Sequence, residues 1–121
     1  MKKSLLSIII ILTLSKSYAQ TSVFNDLLEK YVNNTGIVDY DRFNGRILKK
    51  HITYLENTSP KSNWSDNKQK AFWINAYNAY TIHLVLNTMQ IKKIKSIKDI
   101  KKNGKTAWKI PFVKVGNKTY T

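Results

Sequence analysis

The chain has 121 residues, 21 lysines and arginines against seven acids, and a formal net charge of +14. Cysteine is absent, which excludes disulfides, a lipid-anchored N-terminal cysteine and a cysteine nucleophile within these residues. Stability must come from apolar burial, and three Trp, seven Tyr and four Phe supply much of it.

Lys2 and Lys3 precede a short apolar run from Leu5 to Leu14, and Ser17-Tyr18-Ala19 sets small residues at the two positions that a signal peptidase reads. The expectation is a signal peptide over residues 1–19, cut after Ala19, and a single secreted or periplasmic domain over residues 20–121. The apolar run is too short to cross a bilayer, which takes about 20 residues. No other stretch approaches that length.

Phe24 to Val32 reads as a short helix with Phe24, Leu27, Leu28 and Tyr31 on one side, ended by Asn33-Asn34-Thr35-Gly36. Ile37 to Tyr40 is short and β-branched, the pattern of a brief extended segment. Asp39 or Asp41 is expected to cap a second helix that runs to about Glu56, with Phe43, Ile47, Leu48, Ile52 and Leu55 inward. Thr58-Ser59-Pro60 stops it. Ser65 or Asp66 opens a long central helix to about Asn87, and Asp66 with Gln69 makes a capping-box pattern. This helix is apolar on nearly every side, so it belongs in the middle of the fold, with Asn75, Asn78 and His83 buried.

Ile91, Ile94, Ile97 and Ile100 recur every three residues, a spacing that drifts by about 60° per step on a 3.6-residue helix. A break near Ser96 resolves this. Ser96 with Asp99 forms a second capping-box pattern, Ile97 and Ile100 face inward over a short helix, and Asn103-Gly104 closes it. Trp108 to Val115, Gly116-Asn117 and Lys118 to Thr121 read as a β-hairpin with a type II′ turn, its start made irregular by Pro111. The fold class is α+β, mainly helical, with a buried central helix and a C-terminal hairpin. The short last strand is the mark of an incomplete domain.

Only His51 and His83 exist, 32 positions apart, and no metal-ligand spacing, phosphate loop or nucleophile elbow appears. Neither a metal nor a cofactor is expected. At 100° per residue Asn75 and Asn78 lie about 60° apart on one face of the central helix. They can hold a ligand carbonyl, although the commoner use of such amides is to bind loop backbone. His83, about 80° from Asn75, is the candidate general base, against the alternative of a satisfied core histidine.

Residues 91–118 carry ten lysines and one acid, Asp99. Lys92, Lys93, Lys95, Lys98, Lys101 and Lys102 are candidates to meet an anionic surface or polymer. Only Arg42 and Arg46 could form phosphate forks, which speaks against nucleic acid. A chain rich in Lys, Asn and Ile also carries the pattern of an AT-rich genome, and a solvated lysine surface is the plainer alternative.

Ala71-Phe72-Trp73-Ile74-Asn75-Ala76-Tyr77-Asn78-Ala79 resembles the signature helix of the family catalogued as domain of unknown function 547. Leu27-Leu28 with Tyr31-Val32, Gly36-Ile37-Val38-Asp39-Tyr40, Ser96-Ile97-Lys98-Asp99-Ile100 and Val113 to Tyr120 follow in the matching order. The resemblance spans about residues 23–121 and implies an exported α+β domain. Asn75, Asn78 and His83 carry over as positions of the signature helix. Members usually continue with a Leu-x-x-Ile-Glu-His segment, and this sequence reaches Tyr120-Thr121 where that segment starts. The chain is therefore expected to be the N-terminal portion of such a domain. Two functions stand open: a binding or scaffold domain of the cell envelope, or a hydrolase or transferase whose remaining catalytic residues lie beyond residue 121.

Overall fold

A computed structural model describes residues 21–121; the leader reading, on residues 1–19, lies outside the described residues. The first helix, α1, covers residues 21–31 and ends where Val32 bridges Val38 across the Gly36 turn, whose φ is +81°. The extended segment expected at Ile37 to Tyr40 amounts to this single bridge. Helix α2, Gly45–Glu56, is capped by Asn44, whose Oδ1 accepts from the Ile47 amide at 3.1 Å. Neither Asp39 nor Asp41 caps it. Asp39 Oδ1 instead accepts from the Arg42 amide at 3.3 Å, closing a turn before the helix starts.

Helix α3, Asp66–Met89, is about 36 Å long at 1.5 Å per residue. Ser65 is its N-cap and accepts from the Lys68 amide. The capping box expected of Asp66 and Gln69 does not form, because Gln69 Nε2 donates to the Trp64 carbonyl at 3.2 Å. The helix is the element around which the others are arranged, yet it is not enclosed on every side. Ala76, Ala79, Tyr80, Ile82 and Val85 are buried, while Asn67, Lys70, Ala71, Ile74 and Asn78 form an exposed stripe. The helix packs against α2 and the hairpin strand that follows, and this stripe stays open to solvent, with Ala71 at its border with α2.

Two antiparallel hairpins complete the chain. Strands β1, Lys101–Lys102, and β2, Lys105–Thr106, pair across Asn103-Gly104. Strands β3, Val113–Val115, and β4, Lys118–Tyr120, pair across Gly116-Asn117 with Val113 opposite Tyr120. Both turns have two positive φ angles, +53° and +74° in the first, +56° and +67° in the second. They are therefore type I′, which corrects the type II′ expectation for the second. The first hairpin was missed: Asn103-Gly104 turns a strand pair and does not end a helix. Before it, Ile97–Asp99 is a single 3-10 turn in which the expected Ser96/Asp99 capping box is present. Trp108 lies in another 3-10 turn, Ala107–Lys109, and strand β3 starts only after Pro111.

The main core joins Phe24, Leu27, Phe43, Leu48, Ile52, Leu55, Ala76, Ala79, Tyr80, Ile82, Val113 and Val115. A smaller one gathers Val85, Ile100, Ala107 and Ile110 under the lysine-rich segment. The second hairpin also finishes α2. The Gly116 amide donates to the Leu55 carbonyl at 3.2 Å, which also accepts from the Thr58 amide, and the Asn117 amide donates to the Glu56 carbonyl at 3.0 Å, one of the acceptors that a helix C-terminus leaves open. Tyr80 donates its hydroxyl to the Lys114 carbonyl of β3, and burial pushes its phenol up to about 12. No helix of the described residues is long and apolar enough to cross a membrane.

Candidate functional site

A cleft of about 230 Å³ opens between α1, α2 and the first half of α3. The apolar face of α2 sends His51, Tyr54 and Leu55 into it, since positions i, i+3 and i+4 share one side of a helix. Residues Lys68, Ala71, Phe72 and Asn75 of α3 line the opposite wall at the same spacing. His51, only 3% exposed, stacks on Phe24 with ring centroids 4.8 Å apart and planes within 2°. Tyr54 tilts against it at 5.9 Å. Trp64 closes one end, edge-on to Phe72 at 5.4 Å, and its backbone carbonyl is held by Gln69. Lys68 Nζ rests over the Trp64 ring at 4.5 Å, a cation–π contact that keeps the ammonium at the mouth.

The three residues singled out from the sequence separate here. Asn75 is half-buried and lines the cleft. Asn78 is exposed and belongs to the open stripe, so the two amides do not share the cleft. The expectation that both are buried fails because they face different surroundings, Asn75 half-buried at the cleft and Asn78 exposed on the open stripe, and neither side chain is tied to loop backbone among the described residues.

His83 lies two turns further along the helix, half-buried, in a different concavity with Gly45, Arg46, Lys49, Leu86, Asn87 and Gln90. Its Nε2 meets Asn87 Nδ2 at 3.1 Å. Burial, and then the positive charge of Lys49, lower its pKa, with Glu56 opposing. Its neutral form is therefore favoured.

The sequence reading missed His51, Tyr54, Trp64, Lys68 and Phe72 as members of one site. A signal was present in Lys68 and Phe72, four residues apart on one side of α3, with Trp64 just ahead of the Ser65 cap where its ring can fold back onto that side. Among the described residues no group of three His, Cys, Asp or Glu side chains is placed to hold a metal ion.

The family described as "Protein of unknown function, DUF547" matches residues 61–121, which hold Trp64, the whole of α3 and both hairpins. The chain belongs to this family. Residues 23–60, which the sequence resemblance also covered, lie outside the match, so α1 and the α2 wall of the cleft are not part of it. Neither the curated proteins nor the solved structures give a match.

Proposed function

We propose that this DUF547 chain is an exported binding domain of the cell envelope, with its ligand held in the cleft between α1, α2 and α3. The supporting observation is the lining: Phe24, His51, Tyr54, Trp64 and Phe72 present rings, and Lys68 and Asn75 present polar ends among them. Ligand sites are mostly apolar concavities with a few placed polar groups. The volume suits one ring or one sugar residue, not a length of polymer. Lys68 can meet a carboxylate and Asn75 can donate to or accept from a carbonyl or hydroxyl. Export is supported by the leader pattern of residues 1–19.

The test is 1H–15N correlation NMR of the isotope-labelled full chain titrated with a library of aryl carboxylates and pyranosides. Hits are expected to shift the Trp64 indole and Asn75 side-chain signals. Asn75→Ala should abolish them while leaving folding stability within about 0.5 kcal/mol. Asn78→Ala, on the open stripe, should bind as the parent does. A library that never perturbs the cleft signals sinks the binding reading. N-terminal sequencing of the secreted product checks export separately, with Gln20 expected first.

A further inference from the structure

The lysine-rich segment forms a surface that the cleft does not use. From Ile91 to Lys109 there are eight lysines and one acid, Asp99. That carboxylate is engaged locally: Asp99 Oδ2 accepts from the Lys95 amide at 2.9 Å and the Ser96 amide at 3.1 Å. Lys92 folds back so that its Nζ reaches the Asp99 carbonyl at 3.4 Å. The hairpin β1–β2 then sets Lys102 opposite Lys105, with Lys101, Lys102 and Lys105 all exposed.

Two large apolar side chains stand in water on this same part of the molecule. Ile91 is 85% exposed and shares one concavity with Lys92, Lys101, Lys102 and Pro111. Trp108 is 59% exposed on the 3-10 turn that directly follows β2. The smaller core beneath, Val85, Ile100, Ala107 and Ile110, fixes both turns in place.

We propose that this face docks onto the surface of an anionic lipid bilayer. A polysaccharide polyanion such as heparin would pair with the lysines and leave Ile91 and Trp108 in water, and a nucleic acid that stacked a base on Trp108 would still leave Ile91 there. A bilayer uses both, because Trp and aliphatic side chains enter the headgroup boundary while lysines reach the lipid phosphates. Arginine forks, the usual signature of phosphate-polymer recognition, are absent from the segment, since Arg42 lies just before α2 and Arg46 in its first turn.

The experiment is co-sedimentation of the full chain with vesicles of phosphatidylglycerol in phosphatidylcholine, beside vesicles of phosphatidylcholine alone. Binding is expected only to the anionic vesicles, and raising salt from about 0.05 M to about 0.5 M should weaken it strongly. Replacing Lys101, Lys102 and Lys105 together by Gln should weaken partitioning about a hundredfold, at about fivefold per lysine. Trp108 fluorescence should shift to the blue on binding and be quenched by brominated lipid, and Trp108→Phe should remove that signal. Ile91→Ser should weaken binding without changing its salt dependence. Circular dichroism establishes that each variant is folded. Binding that the triple variant retains places attachment elsewhere, the leader included, and overturns the proposal. So does heparin affinity without vesicle affinity, or a Trp108 emission that vesicles leave unchanged.

Discussion

His83 shows how a single side chain couples local environment to a measurable property. Its pKa is lowered in the folded chain, first by burial and then by Lys49. The unfolded chain, with the ordinary value of 6.5, therefore binds the proton more readily. The resulting stability is fully present above that value and is lost as pH falls through it toward the lowered one. Urea unfolding followed between about pH 5 and pH 7.5 should show a midpoint that drops on acidification more in the parent than in His83→Gln. The difference between the two proteins isolates the contribution of His83, since every other group is common to both. A parallel pair of curves would show that His83 keeps an ordinary pKa.

At the scale of elements, the turn Gly116-Asn117 is the most constrained piece of backbone. Gly116 has φ +56°, and a Cβ there would sit 2.5 Å from Ser59 Oγ and 3.0 Å from Ser59 Cα. Gly36 has φ +81° and open space around it. Gly36→Ala should cost about 1 kcal/mol from the backbone alone. Gly116→Ala should cost at least about 2 kcal/mol, because the backbone of Ser59 has to give way as well. Chemical denaturation of both variants checks the order.

Those turns also mark how far the elements could be read in advance. The helices were legible because Leu48, Ile52 and Leu55 repeat on a helical period in α2, and because the long apolar run from Phe72 to Leu86 follows a Ser65 cap in α3. Asn103-Gly104 was a hairpin dipeptide in plain view, but two-residue strands carry no periodicity of their own to frame it. The enclosure of α3 was overestimated for a different reason. Ile74, 61% exposed, looks like a core residue by type, and only the placement of α2 and β3 shows that nothing covers it. The cleft was illegible because its walls come from three helices, and no local pattern reports that Phe24, His51 and Trp64 will meet.

On the scale of the whole molecule, the C-terminal hairpin is a structural part of the main core. Val113 and Val115 are among its most deeply buried side chains, at 0% and 1% exposure. Losing each costs about 1.5–3 kcal/mol of apolar burial, against a total stability of about 5–15 kcal/mol for a domain. Removing residues 113–121 also takes away the two amides that cap α2. The shortened chain should lose its cooperative thermal transition by circular dichroism and its hydrogen-exchange protection at Leu55 and Glu56. A sharp melt in that variant would show that the three helices hold together unaided.

That cap imposes an order of events on biosynthesis. The carbonyls of Leu55 and Glu56 leave the ribosome long before the amides of Gly116 and Asn117 that they accept. Contacts so remote along the polypeptide form late, after the intervening loop has closed. The nascent chain consequently keeps the end of α2 pliable until the second hairpin has been made. A chaperone would meet a thread that has not yet locked, and the lock turns when residue 117 emerges.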